Sequence, residues 1–154
     1  MADEPTHSPD SDPLTTWSAE QTVIHIPRAL IVDDSPETGI FIQQALARIP
    51  VIGICETHGR DALRRFQQIN PALVLLDLNL PDMSGWEVLD AIKESRPEAR
   101  RPAVIIITAY GEPANRLKGR LQGVDAFLVK PFSIEELQRT TEDVLRRRKE
   151  RGSP

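Results

Sequence analysis

Four short apolar runs in this 154-residue chain end at residues able to handle a phosphoryl group. Ala29-Leu30-Ile31-Val32 runs into Asp33-Asp34, Ala72 to Leu76 into Asp77, Ala103 to Ile107 into Thr108, and Ala126 to Val129 into Lys130. If these ends share one rim, three carboxylates crowd together and repel one another unless a cation is present. Hard oxygen ligands with positions left for water and phosphate oxygens suit Mg2+, which keeps an octahedral shell at about 2.1 Å. Lys130 adds a mobile positive charge and Thr108 a hydroxyl donor. Together they describe a site for a phosphoryl group held on a carboxylate. Taken singly, an Asp after a strand is commonly a turn residue or a helix cap, and Asp34 and Ser35 stand where such a role fits. The chemistry rests on all five residues at matching positions.

The runs themselves read as buried strands, with Val51 to Cys55 as another, and helix-period segments alternate with them. Ser35 is an N-cap and Pro36 a first helical residue, opening a helix with Ile40, Phe41, Ala45, Leu46 and Ile49 on its apolar face. Gly59 starts a second helix, with Ala62, Leu63, Phe66 and Ile69 inward, stopped at Asn70-Pro71. Ser84-Gly85-Trp86-Glu87 has capping-box spacing and leads into Val88, Leu89 and Ile92. Leu117 and Leu121 mark a weaker helix after Pro113. Ser133 to Glu136 is another capping box, before a last helix with Leu137, Val144 and Leu145 inward. Five strands alternating with five helices imply an α/β protein, a doubly wound parallel sheet covered on both faces. Right-handed crossovers leave only a few strand orders. Ligands of such sheets bind outside the carboxyl ends of the strands, where the four runs end.

The domain is expected over residues 28–149, with 150–154 a short tail and 1–27 an acidic, disordered extension. Residues 1–27 hold Asp3, Glu4, Asp10, Asp12 and Glu20, four prolines and no Lys or Arg, too little apolar surface to offset ordering entropy. Val23-Ile24-His25-Ile26 is the exception, read as a loosely docked lead-in or as an arm for a partner. The remainder is nearly balanced in charge, so no strongly basic nucleic-acid face is implied. The one basic cluster, Arg146-Arg147-Arg148-Lys149 with Arg151, suits the last turn of a helix, with a contact role as the alternative. A single cysteine, Cys55, excludes an internal disulfide framework and a cysteine-rich zinc site, and reads as a packing residue. His7, His25 and His58 lack ligand spacing. No apolar run approaches the roughly 20 residues of a membrane span, and the N-terminus has no secretory h-region, so a cytoplasmic protein is expected, with no membrane partner.

Ile31-Val32-Asp33-Asp34, Leu75 through Gly85 (LLDLNLPDMSG), Ile107-Thr108-Ala109 and Val129-Lys130-Pro131-Phe132 resemble the signatures of two-component response-regulator receiver domains. The resemblance covers the whole of residues 28 to about 149, and the four motifs stand in the family's order and spacing. It implies the flavodoxin-like strand order 2-1-3-4-5. It makes Asp77 the phosphoacceptor and Asp33 and Asp34 the acid pair for Mg2+, with the backbone carbonyl of Asn79 completing the ion's shell. Thr108 and Lys130 match the groups that bond phosphoryl oxygens, Phe127 the aromatic switch, and Lys130-Pro131 a peptide bond usually cis. A histidine kinase or histidine phosphotransfer protein is the implied donor. A downstream protein target is the implied receiver of the signal, through the face of the fourth helix, fifth strand and fifth helix. Asp77 is then a phosphoacceptor that assists its own chemistry, not the centre of a turnover enzyme. Side chains two positions after the acceptor and after the switch threonine, here Asn79 and Tyr110, flank the path of attacking water.

Winged-helix regulators of this family often carry paired acids before the aromatic switch and a basic residue on the fifth helix. Here Asp125 precedes Ala126, and Thr140 stands near the basic position, so their salt-bridged dimer is not expected. With no DNA-binding domain before residue 154, a stand-alone receiver without direct DNA binding is expected. An aspartyl-phosphate phosphohydrolase is the enzymatic alternative, but it needs Asp-x-Asp at its nucleophile, and Asp33-Asp34 lacks that spacing. A scaffold that is never phosphorylated would not need the complete acid set. Trp86 is expected at the surface near the site.

Overall fold

The computed structural model describes residues 25–152. Its elements follow the expected alternation. They are β1 (Arg28–Val32), α1 (Pro36–Ala47), β2 (Ile52–Glu56), α2 (Gly59–Ile69), β3 (Leu73–Asp77), α3 (Gly85–Ser95), a 3₁₀ turn (Glu98–Arg100), β4 (Ala103–Thr108), α4 (Pro113–Leu121), β5 (Ala126–Val129) and α5 (Ile134–Gly152). All five strands are parallel, in the order β2-β1-β3-β4-β5. Ala29 pairs with Leu73, and Asp77 with Ile107.

Strand side chains alternate between two cores, as the period of two demands. Ala29, Ile31, Leu73, Leu75, Ala103, Ile105 and Ile107 face α1 and α5, meeting Ile42, Leu46, Leu137 and Val144. Leu30, Val32, Val74, Leu76, Val104 and Ile106 face the other way, meeting Ala62 and Phe66 of α2 and Val88, Leu89 and Ile92 of α3. Because β1 beyond Arg28, β3 and β4 are apolar at both faces, their buried stretches end in polar residues at the carboxyl ends, and all three ends fall on one rim.

Several helix faces differ from the periodic reading. In α1 the buried stripe is Gly39, Ile42, Ala45 and Leu46, while Ile40 and Phe41 are exposed at 51% and 38%. Spacings of three and four from Gly39 put Ile42 and Leu46 on the sheet and leave Ile40 and Phe41 on the flank. In α4 only Gly119 is buried, and Leu117 and Leu121 stand out in solvent, Leu121 at 78%. The helix lies over the sheet edge, so its leucines have no facing layer. Ile26 is also exposed, against the docked lead-in expected of it, and Val23, Ile24 and the rest of 1–24 lie outside the described residues. The last helix continues past the expected boundary at 149, to Gly152.

The basic cluster does more than cover a helix end. Arg148 donates to Asp125 and to the carbonyls of Arg101 and Pro102 (2.8 Å for the last). Asp125 also accepts the Val104 N–H at 2.8 Å. One arginine therefore ties the end of α5 to the entries of β4 and β5. Arg146 and Arg147 pair with Asp143 one turn back. No helix of the described residues is long and apolar enough to cross a membrane.

Candidate functional site

Each acid at the rim is set by the element that ends there. The chain leaves β1 at Asp33, whose N–H donates to the Glu56 carbonyl at 3.1 Å, and enters α1 at Ser35. Ser35 Oγ caps α1 by accepting from Thr38 N, and Pro36 occupies the first turn. Asp33 is buried, and its Oδ1 accepts the Ser35 N–H at 2.9 Å, which aims Oδ2 across the rim. Asp34 is exposed beside it. Asp77 is the last residue of β3 and is buried. Its Oδ1 accepts the Asn79 N–H at 3.2 Å.

Lys130 joins the acids. Its Nζ donates to Asp33 Oδ2 at 2.6 Å and to Asp77 Oδ2 at 3.1 Å. The Lys130 N–H donates to the Thr108 carbonyl at 2.8 Å, which fixes the end of β5 on the end of β4. The Lys130–Pro131 bond is cis. Burial alone draws the Lys130 ammonium down, but its bonds to Asp33 and Asp77 outweigh that and hold it above the ordinary lysine value. Burial pushes the Asp77 carboxyl up, against the opposing pull of the Asn79 N–H and of Lys130.

Asp33, Asp34 and Asp77 each offer a carboxylate oxygen, and these atoms lie within 4.8 Å of one another. Three hard oxygens at that spacing, open to solvent on the Asp34 side, fit a small divalent cation of the Mg2+ type.

The loop after the acceptor is held by backbone contacts. Gly85 N donates to the Leu78 carbonyl at 2.9 Å, and Asn79 bridges to Ser84. A Cβ at Gly85 would strike the Asp77 carbonyl oxygen, so this position takes no side chain. Ser84 and Glu87 form the full capping box of α3. The same loop is clasped to α2. Asp82 accepts the N–H of Gly59 at 2.8 Å and of Arg60 at 3.0 Å, and the Met83 side chain lies on Gly59, where a Cβ would strike it. These bonds, Arg60 first, hold the Asp82 carboxyl below the usual aspartate range. Asp82 has no role in the reading of the residues. It stands inside the Leu75–Gly85 signature, but its partners lie 23 and 22 residues away.

The remaining named residues sit around this centre. Thr108 is fully buried, and its Oγ1 accepts the Tyr110 N–H at 3.1 Å, while the Tyr110 ring is half exposed. Phe127 is half-buried on the α2–α3 core, beneath the Arg116 guanidinium at 5.3 Å, with Gly119 leaving space beside its ring. Trp86 is half-buried with Lys118 Nζ 4.9 Å over its ring, so it reports on α4. Asp125 is turned inward to Arg148. Burial and then Glu56 push the Cys55 thiol up, and Cys55 packs beside Gly39.

The family model for the response regulator receiver domain matches residues 29–142. The transcriptional regulatory protein PcoR of Escherichia coli is 34% identical over 120 residues, 78% of this chain and 52% of that protein. The phosphate regulon transcriptional regulatory protein PhoB of Rhizobium meliloti is 33% identical over 124 residues, 80% and 54% of the two chains. The chain thus spans about half the length of these curated relatives. Among solved structures, a signal receiver domain from Vibrio parahaemolyticus superposes with a TM-score of 0.76 at 34% identity, covering 82% of this chain and 95% of that one. A CheY-like response regulator receiver domain protein from Methanospirillum hungatei gives 0.76 at 26%, covering 83% and 100%.

Proposed function

The chain belongs to the response regulator receiver domain family, and on that premise we propose that it is a phosphorylation-controlled switch with Asp77 as its acceptor. A histidine kinase or histidine phosphotransfer protein is the donor. The phosphorus–nitrogen bond of its phosphohistidine breaks, leaving the electron pair on the imidazole, as an Asp77 carboxylate oxygen bonds phosphorus. The observation that carries this reading is Lys130 bridging Asp33 and Asp77 beside Asp34. Transfer of this kind needs charge neutralisation more than acid–base chemistry.

Asp33, Asp34 and Asp77, with the Asn79 carbonyl, are the residues that would hold Mg2+. When bound, the ion neutralises charge on the transferring oxygens. Lys130 supplies the second cation, and the Thr108 hydroxyl turns from the Tyr110 N–H to a phosphoryl oxygen. The product carries about −1.5 to −2 in place of −1. Phe127 then follows Thr108, changing the face formed by α4, β5 and α5. The exposed Leu117 and Leu121 on that face support a protein target there. The output proposed for this face is altered protein binding.

The test is intact-mass spectrometry with a small phosphodonor and Mg2+. One phosphoryl addition is expected, abolished by Asp77→Asn. Equal incorporation in that variant would reject the assignment.

A further inference from the structure

Arg116, in the second turn of α4, touches both moving parts of the proposed switch. Its Nε donates to the Gly111 carbonyl at 3.1 Å, in the loop that follows Thr108. Its guanidinium carbon stands 5.3 Å over the Phe127 ring. We propose that Arg116 is a positioning residue, a latch that holds the switch in its resting arrangement by binding the β4–α4 loop and Phe127 with one rigid group. This rests on the reading of Asp77 as a phosphoacceptor whose modification moves Thr108.

The geometry makes the two contacts dependent. A guanidinium is planar, and its Nε–H and its face move as one body. The loop is tied to Thr108 through the Tyr110 N–H bond, and to α4 by Asn115, whose Nδ2 donates to the Tyr110 carbonyl at 3.0 Å. If Thr108 turns to another oxygen, Tyr110 and Gly111 shift. Arg116 then loses either the carbonyl or the ring. On the α4 side the ring faces Gly119, where even an added Cβ would meet it only in ordinary contact at 3.4 Å, so it is Arg116 and not the helix backbone that holds the ring in place. α4 has no buried apolar side chain of its own, so these polar and cation–π contacts are a large part of what sets its position.

Any ligand that favours the switched arrangement must release this latch, so removing the latch tightens that ligand. Mere loss of a positive charge would weaken an anionic ligand. The two explanations therefore predict opposite signs.

The probe is beryllofluoride with Mg2+, titrated into the full chain by calorimetry. Arg116→Ala is expected to bind it three- to tenfold more tightly than the parent. Arg116→Lys, which keeps the cation but not the fork, should fall between. Arg120→Ala, an exposed arginine one turn along, should match the parent. In a Phe127→Ala background, Arg116→Ala should add nothing. In the absence of the probe, aromatic resonances of Phe127 in Arg116→Ala should already shift toward their beryllofluoride positions. Parent-like or weaker affinity in Arg116→Ala, or an equal gain in the Phe127→Ala background, overturns the latch while leaving the phosphoacceptor intact. Failure of the parent chain to bind the probe overturns the phosphoacceptor reading, and the latch with it.

Discussion

Lys130 bonds Asp33 more closely than it bonds Asp77, at 2.6 against 3.1 Å. The same Asp33 carboxylate belongs to the set of three that suits a divalent ion, so lysine and ion compete for it. Lys130→Ala should therefore tighten Mg2+ by about three- to tenfold, near 0.7–1.4 kcal/mol. It should still accept some phosphate from a small donor, but the Phe127 resonances should no longer respond. Calorimetric Mg2+ titration checks the first part, and a weaker ion in the variant would show that Lys130 organises the acids more than it competes for them.

Tyr110 bears on the lifetime of the signal. Its ring is half exposed and its N–H is bonded to Thr108 Oγ1; we expect the ring to shield an acyl phosphate from in-line water, and the Asn79 side chain to orient water and favour its attack. The two oppose, so an intermediate lifetime is expected. Tyr110→Ala should speed phosphate loss roughly three- to tenfold, about 0.7–1.4 kcal/mol of barrier. The decay rate after donor removal, at constant Mg2+, decides it; an unchanged or slower decay removes the shielding.

Arg148 is a stability residue far from the rim. Its removal leaves the buried Asp125 carboxylate with the Val104 N–H and a distant Arg151 at 3.9 Å, and frees two carbonyls. Arg148→Ala should cost about 1–3 kcal/mol, discounted from a fully buried pair because the arginine is partly solvated. Arg146→Ala, on the exposed side of the same helix, should change little. Urea unfolding compares them, and equal small losses would mean that water replaces the Arg148 bonds.

The Asp82 clasp has a signed pH dependence. Its carboxyl is held below the ordinary value of 3.8 in the folded chain, so its contribution is present above that value. The contribution is lost as pH falls through the lower, folded value. Amide exchange at Gly59 and Arg60 should lose protection in that acid window, and Asp82→Asn should show weaker protection already at neutral pH. A variant with parental protection at neutral pH would mean the amide side chain serves as well as the carboxylate.

Fold class and the rim were legible because both follow from short-range patterns. Runs such as Leu73 to Leu76, apolar at every position, require cover on both faces, and their polar terminators then gather without further information. Helix faces were less legible where they depend on the neighbouring layer. Ile40 and Phe41 satisfy the helical period as well as Ile42 does, and only the sheet's placement selects among them. Leu117 and Leu121 have the right spacing but nothing opposite. Asp82 and Arg148 were unreadable for a different reason. Each bonds backbone groups of distant segments, and a backbone donor or carbonyl has no residue type to betray it.

The sheet order also dictates a sequence of events during synthesis. β1 leaves the ribosome first, yet it lies between β2 and β3 and pairs with both. Its partner in β3, Leu73, emerges only after α1, β2 and α2 have been made. Until then a β1–β2 pair leaves the β1 backbone groups that pair with β3 along an open edge. Non-local parallel pairing of this kind closes slowly, because long loops must be ordered before their contacts form. Each stage thus exposes an unpaired edge, β1 until β3 arrives and β3 until β4 pairs with it, and the nascent chain is most prone to self-association across that interval.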